Sequence, residues 1–385
     1  MIRLLSVVGA RPNFMKIAPI VEELKKSLDV EHCLVHSGQH YDELLSGSFF
    51  ADLGLPTPDV NLQAGSGSHA VQTAEIMKRI EPVLLDYQPQ MVLVVGDVNS
   101  TIAAALTAVK LGIGVAHIEA GLRSFDMTMP EEINRKLTDA ISSLLFVTEQ
   151  SGVENLKHEG VPSEKIFLVG NVMIDCLVRH RELAARSPIL GQLNLDQLGL
   201  LQNGSACRPY GVLTLHRPSN VDDPKTLQGI LSAVSAVAAE LPVFFPIHPR
   251  TRKNIESFGL LRYLASSGRG DGAGIVPLEP LGYLDFLSLN GHARIVFTDS
   301  GGVQEETSFL GVPCLTLRAN TERPATVEHG TNQVVGVDPD RILAAAQSIL
   351  HQPARPSRRP PLWDGKAAPR IVAIIREYLK HNCPA

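Results

Sequence analysis

Short runs of β-branched and apolar residues alternate along nearly the whole chain with longer amphipathic stretches in which apolar positions recur at helical spacing. Runs this short and this apolar are typical of parallel strands buried on both faces, with helices between them. In the first half the predicted strands are LLSVV from Leu4, HCLVH from His32, MVLVV from Met91, VAHIE from Val115, LLFVT from Leu144 and IFLVG from Ile166. In the second half they are YGVLTLH from Tyr210, VFFPIH from Val243, GIVPL from Gly274, RIVFT from Arg294 and VPCLTL from Val312. Each set suffices for its own open sheet. The expected fold class is α/β, with two Rossmann-like domains whose mostly parallel sheets face a central cleft.

The strand signal lapses between Asp175 and Arg208, in a segment that ends in the turn-prone QNGSACRP. The expected organisation is an N-terminal domain over 1–175, a linker over 176–208 and a C-terminal domain over 209–366. A Pro-rich break precedes a last helical stretch from Arg370 to Leu379, and the segment 367–385 is expected to return to the first domain. SGRGDGAG, at 267–274, reads as a surface loop. A chain of 385 residues is long for a single core, which agrees with two domains.

A formal net charge of -5 with no basic stripe argues against a nucleic-acid partner, so phosphate binding would fall to local cations. Cys33, Cys176, Cys207, Cys314 and Cys383 show no CxxC spacing, as expected of reduced thiols. IRLLSVV is too short for a signal segment and no run is long enough to span a bilayer. A cytoplasmic protein without a membrane partner is expected.

The most informative stretch is IVFTDSGGVQEETSFLGVPCLTLRANTERP. A strand ends in a polar residue, Gly301 and Gly302 follow Ser300, and a helix opens behind them. Backbone N–H groups at such a helix start can seat phosphates. Glu306, one turn further in, can accept both hydroxyls of a ribose, and Arg323 with Arg318 before it supplies guanidinium groups suited to phosphate oxygens. An ordinary strand-to-helix turn with glycines for tightness fits the same residues. No GxGxxG stands at the first turn and there is no GK[ST], which disfavours a Walker-type nucleotidase.

In the first half, Gly9-Ala10-Arg11-Pro12-Asn13 closes a strand, and Arg11 and Lys16 put two cations near a helix start. Positive charge there is unfavourable unless an anion is close. Asp97 ends an apolar strand and reads either as a functional carboxylate or as a helix cap, while Ser100 or Thr101 can cap the Ala-rich helix behind it. Glu119 ends the next strand, and MPEEINR opens a helix with Glu131 and Glu132, of which one can be merely dipole-compensating. Carboxylates converging on one sheet rim point to proton transfer. In the second half His216, followed by Arg217, reads as a phosphate ligand, a general acid or a structural histidine. His248 and Arg250 repeat that placement one strand on. His32, His36 and His40 recur every fourth residue, but on a strand that spacing is about 13 Å, too long for one metal ion.

The motifs GARPNFMKIAP, SGQHYD, VVGDVNST, HIEAGLRS, MPEEINRKLTD, VGNVMID, LTLHRPSNVD, TDSGGVQEE and RANTERP together resemble the non-hydrolysing UDP-N-acetylglucosamine 2-epimerases, in order and over nearly the whole chain. The resemblance implies a GT-B-like fold, a homodimer, and interconversion of UDP-GlcNAc and UDP-ManNAc with neither added cofactor nor metal. It implies acid/base roles for Asp97, Glu119 and Glu131 and a catalytic role for His216. The UDP and substrate contacts then expected are Arg11, Lys16, Arg135, His248, Phe286, Ser300, Gly301, Gly302, Glu306 and Arg323, with Phe286 beside the uracil.

The chain departs from the substrate-activated bacterial members at Tyr41 and Asp42, and at Ser66 and Gly67, which puts allosteric activation by substrate in doubt. The turn before the last helix is altered to PLWDGK around Trp363. Competing readings are a hydrolysing 2-epimerase that releases ManNAc, a 2-epimerase of a modified UDP-sugar, a GT-B glycosyltransferase and a UDP-sugar sensor. A transferase or a sensor has no use for three carboxylates at one sheet edge.

Overall fold

All the anticipated strands form, each within two residues of its expected bounds, in a computed structural model that describes residues 1–38, 57–193, 201–202, 205–206, 209–265, 274–351 and 358–382. The chain divides into two compact units, one made of Met1–Arg179 with Pro361–Ala385 and the other of His180–Pro360. The segment expected as linker holds regular structure: the helix Val172–Ala184 runs into it and a short helix, Ile189–Gln192, follows.

In the first unit β1 (Ile2–Val8), β2 (Val30–His36), β3 (Val60–Asn61), β4 (Met91–Val95), β5 (Gly114–Ala120), β6 (Leu144–Val147) and β7 (Ile166–Leu168) form one parallel sheet in the order β3-β2-β1-β4-β5-β6-β7. After a small antiparallel pair, β8 (Leu201–Gln202) and β9 (Ser205–Ala206), the second unit builds a parallel sheet from six strands. These are β10 (Gly211–Thr214), β11 (Val243–Pro246), β12 (Ile275–Leu278), β13 (Ile295–Thr298), β14 (Cys314–Thr316) and β15 (Asn332–Val334), in the order β12-β11-β10-β13-β14-β15. β3 and β15 were not anticipated, because two or three residues carry too little periodicity to read.

Both sheets are covered on both faces, and the alternation of side chains shows it. In β13, Ile295 and Phe297 join one core cluster while Val296, between them, joins another on the opposite face. β11 repeats this, with Val243 and Phe245 on one side and Phe244 on the other. In the first unit the helix His69–Tyr87 buries Gln72, Ile76, Ile80 and Leu84 at four-residue spacing against the cluster that holds Leu5, Val7, Val92 and Val94.

The last helix is longer than expected, Ala367–Asn382, and packs within the first unit. The altered turn before it is anchored by Trp363, which is buried and donates from Nε1 to the Thr148 carbonyl at 3.1 Å. Asp175 caps the helix start by accepting from the Ala367 and Ala368 amides at 3.0 and 2.7 Å. No described helix is long and apolar enough to cross a membrane. Cys33, Cys176 and Cys314 are buried free thiols, whereas Cys207 and Cys383 lie outside the described residues. So do His40, Tyr41, Asp42 and the segment 267–273.

Strand order matters for function at two points. In the first sheet the chain steps outward from β1 to β2 and β3, then resumes on the other side of β1 with β4; in the second, β10 and β13 are related in the same way. Where the order reverses, loops leave adjacent strands in opposite directions and open a crevice at the carboxyl ends.

Candidate active site

At the reversal in the first unit, the helix Arg11–Lys25 follows β1 and carries Asn13 and Lys16 toward the end of β4. Arg11 opens that helix, and its side chain lies outside the described residues. Asn13 accepts from the Ala10 amide at 3.0 Å and donates to the Val95 carbonyl at 2.8 Å, tying the two strand ends together. Lys16 forms a buried ion pair with Glu119 from β5. That pair answers the electrostatic puzzle of a lysine near a helix start, since the anion it needs comes from within the protein.

Gly96 makes this approach possible. Its φ is +69°, and a Cβ there would stand 3.3 Å from the Asn13 amide nitrogen, 3.4 Å from the Lys16 ammonium and 3.5 Å from the Glu119 carboxylate. Glu119 itself has φ +72°, next to a register shift between β5 and β6. A non-glycine residue held there costs about 1–3 kcal/mol, and such strain gathers at functional sites.

Asp97 does not cap the helix that follows. The helix Asn99–Lys110 begins after Val98 without any side-chain cap, and the Asp97 carboxylate instead pairs with Arg135. The capping expected of Ser100 or Thr101 is also absent: Ser100 donates to the Ser37 hydroxyl at 2.8 Å and Thr101 to the Val95 carbonyl at 2.9 Å. Both hydroxyls lie inside the helix and bind backwards into the sheet edge instead.

The helix Pro130–Ile141 separates its two glutamates by burial. Glu132 is buried and accepts from the Ser124 amide at 2.9 Å, the Phe125 amide at 3.1 Å and Arg135 Nη1 at 2.6 Å, so it shapes the loop before the helix. Glu131, in the same first turn, is only half-buried. Arg135 sends its two terminal nitrogens to Asp97 and Glu132 and is itself buried, so in this structure its charge is directed at carboxylates of the first unit.

At the second reversal, His216 and Arg217 follow β10 and Asp299 follows β13. Asp299 is fully buried and accepts from the His216 amide at 3.1 Å, the Arg217 amide at 3.0 Å and His216 Nδ1 at 2.9 Å, while 48% of the His216 side chain remains exposed. The bond at Nδ1 leaves Nε2 as the outward-facing nitrogen. Burial would raise the Asp299 carboxyl, but the His216 hydrogen bond and charge and the backbone donors outweigh it and hold the group below its ordinary value.

The helix Gly301–Leu310 starts at Ser300, whose side chain makes no cap hydrogen bond. Over that start lies a cluster of guanidinium groups around the buried Glu322: Arg318 at 2.8 Å, Arg323 at 3.3 Å and Arg217 at 3.6 Å. Arg323 also donates from Nε to Glu305 at 2.7 Å. A Cβ at Gly301 would meet Glu322 at 3.1 Å and the Arg323 guanidinium carbon at 3.3 Å, so the glycine lets this cluster reach the helix start. Burial alone would push the Glu322 carboxyl up, yet Arg323 and Arg318 hold it far below the usual carboxylate range. Glu306 shows the opposite balance: burial first, then the neighbouring Glu305, push it up to about 8, with only a Tyr283 hydrogen bond acting the other way.

Phe286 lies on the helix Tyr283–Gly291 and packs partly buried against the cluster of Tyr210, Val212 and Phe244. His248 caps the helix Pro249–Ser257 by accepting from the Arg250 amide at 3.3 Å, and Arg250 is paired with Asp222. Ser66 and Gly67 are exposed, ahead of the helix His69–Tyr87. Among the described residues no group of three or more His, Cys, Asp or Glu is arranged to hold a metal ion.

Sequence reasoning passed over Asp299 and Glu322. Each stands beside a residue that was singled out, and each acquires its meaning only from a neighbouring strand or loop.

Two parallel α/β units, each with polar groups gathered where its strand order reverses, place the chain among the GT-B-like enzymes. A family model described as UDP-N-acetylglucosamine 2-epimerase matches residues 22–376, and the chain belongs to that family. It is 41% identical to the UDP-N-acetylglucosamine 2-epimerase of Methanocaldococcus jannaschii over 371 residues, 96% of this chain and 97% of the relative. It is 40% identical to the UDP-2,3-diacetamido-2,3-dideoxy-D-glucuronate 2-epimerase of Pseudomonas aeruginosa over 351 residues, 90% and 92% of the two chains. A crystal structure of the M. jannaschii enzyme in complex with UDP-GlcNAc and UDP superposes with a TM-score of 0.86 at 40% identity, covering 98% of this chain and 100% of the other.

Proposed function

We propose that this enzyme reversibly inverts C2 of UDP-N-acetylglucosamine to give UDP-N-acetylmannosamine, by eliminating UDP to 2-acetamidoglucal and adding it back. The observation that carries the reading is the contrast between the two sheet edges. One presents Asp97, Glu119 and Glu131; the other presents guanidinium groups, a histidine and a glycine-opened helix start.

C2–H of this sugar is not next to a carbonyl, so direct deprotonation is prohibitively slow. Removing the proton while the C1–O bond breaks places the developing charge on the departing UDP and leaves a C1=C2 double bond. Re-addition of UDP at C1 with a proton delivered to the other face of C2 completes the inversion. Two faces need two proton-handling groups, and these are drawn from the three carboxylates Asp97, Glu119 and Glu131. His216, oriented by Asp299, acts on the leaving phosphate, Arg11, Ser300, Gly301, Gly302 and Arg323 retain the diphosphate, and Lys16 acts through its ion pair with Glu119. Phe286 flanks the uracil and His248 borders the substrate. Arg135 acts by holding Asp97. The enzyme needs no added cofactor or metal and works as a cytoplasmic homodimer.

Incubation with UDP-GlcNAc in deuterated water should yield UDP-ManNAc carrying deuterium at C2. Free ManNAc with UDP identifies a hydrolysing enzyme instead, and transfer to an acceptor without exchange identifies a transferase. The likeness to the P. aeruginosa enzyme supports a second reading, a modified UDP-sugar as substrate. Faster C2 exchange on the diacetamido uronic acid nucleotide than on UDP-GlcNAc would establish it.

The ribose contact has a separate signature. Glu306, pushed up to about 8 by burial and by Glu305, is expected to hold its proton at pH 7 in the unliganded protein and to release it when its carboxylate accepts from the ribose hydroxyls. Calorimetric titration with UDP at pH 7 in buffers of different ionisation enthalpy should report release of about one proton, lost in Glu306→Gln. Heats independent of the buffer would overturn this proton release.

A further inference from the structure

Behind the carboxylate edge of the first unit lies a chain of buried charges with no part in the proton transfers described above. His117, on β5 two residues before Glu119, is fully buried. Its Nδ1 donates to Asp139 at 2.6 Å and its Nε2 donates to the Gly96 carbonyl at 2.8 Å. Both partners are acceptors, so both ring nitrogens must carry hydrogen. The second Asp139 oxygen accepts from the Gly121 amide at 3.1 Å and from Arg123 Nη1 at 2.7 Å. Arg123 continues to Glu159 at 2.6 Å, so two cations and two anions alternate and compensate one another.

A buried ion pair is a poor device for stability, because apolar side chains of similar volume fill such a space without the desolvation cost. What it does well is hold atoms at set positions. The atoms held here are telling: Gly96 immediately precedes Asp97, and Gly121 follows Glu119 by two residues. Gly96, Glu119 and Gly121 have φ of +69°, +72° and +79°, so the pair ties down two turns in left-handed conformation. The Gly96 amide also donates to the Ile118 carbonyl at 3.0 Å, next to Glu119.

We propose that His117 and Asp139 are positioning residues for the reaction, a buried ion pair that fixes the two turns presenting Asp97 and Glu119 to the substrate. The assignment rests on the reading of those two carboxylates as proton-transferring groups. The ring nitrogens of His117 go to Asp139 and to the Gly96 carbonyl, so it acts through the backbone beside those carboxylates.

Asparagine and glutamine separate the two bonds of the ring. His117→Asn keeps a donor where Nδ1 stood and loses the one to Gly96, whereas His117→Gln keeps a donor where Nε2 stood. A misplacement of about 1 Å can cost about 100-fold in rate. His117→Asn is therefore expected to lower kcat for C2 epimerisation about 100-fold, with the Kd for UDP within about twofold of wild type, and His117→Gln to recover about tenfold of that loss. An unchanged kcat in His117→Asn overturns the proposal, as does a parallel loss of kcat and UDP affinity, which marks a general structural role. If the variants do not fold, nitrogen-15 histidine spectra of the wild-type protein decide: two protonated ring nitrogens on the His117 signal are expected, and a single N–H overturns the arrangement. Wild-type protein that binds UDP without C2 exchange would instead break the epimerase reading, a result distinct from wild-type exchange that His117→Asn leaves intact.

Discussion

Asp97→Asn is expected to lower C2 epimerisation of UDP-GlcNAc by about 1000-fold, within the range a positioned general acid or base supplies, while UDP affinity stays within about threefold. Asparagine has nearly the same shape and can still accept from Arg135, so the loss belongs to the proton and not to packing. Only 30% of the Asp97 side chain is exposed, and the Asn134 side chain donates to its backbone carbonyl at 2.9 Å, so the backbone should stay in place. Glu131→Gln should behave the same way. Glu132→Gln makes the contrast: its carboxylate serves two backbone amides and Arg135, so its loss should appear first as lower stability. Deuterium wash-in at C2 together with UDP titration separates these outcomes. Normal turnover in both Asp97→Asn and Glu131→Gln would take the two carboxylates out of the mechanism.

The second large effect is expected at Arg323. Arg323→Ala should weaken UDP binding about 100-fold or more, and should also destabilise the protein by about 3–5 kcal/mol, the usual cost of stranding a buried charge. Two carboxylates depend on this guanidinium, Glu305 at 2.7 Å and Glu322 at 3.3 Å, and both are buried. Arg323→Lys should restore part of the stability but little of the affinity, because a single ammonium cannot address Glu305, Glu322 and a phosphate in the forked geometry of arginine. Calorimetry with UDP and chemical denaturation measure the two quantities separately. A UDP affinity within threefold of wild type in Arg323→Ala would mean that the diphosphate is held elsewhere.

The residues of the proposed site are legible in the sequence because they stand at strand ends, where a polar residue interrupts an apolar run. Asp97, Glu119, His216 and the Ser300–Gly302 turn all announce themselves in that way. Ser100 and Thr101 mislead, having the right type and place for caps but turning their hydroxyls toward the sheet edge. Asp299, a single polar letter before Ser300, and His117, which alternation presents as one more inward position of β5, are not legible in that way. A lone charged residue inside an apolar run has no local signature of its partner.

Periodicity and turn chemistry along the chain suffice for the alternation of the longer strands with helices and for two parallel sheets covered on both faces, while the ordered motifs carry the resemblance to the epimerase family. These depend on neighbours within a few residues and on patterns that repeat. Which side chains meet is another matter, since Lys16 reaches Glu119 across 103 residues, His216 reaches Asp299 across 83 and Asp97 reaches Arg135 across 38. Those meetings follow from β4 lying between β1 and β5 and from β13 lying beside β10, which is a property of strand order. Strand order is settled when whole faces are buried together, and no single segment contains the information.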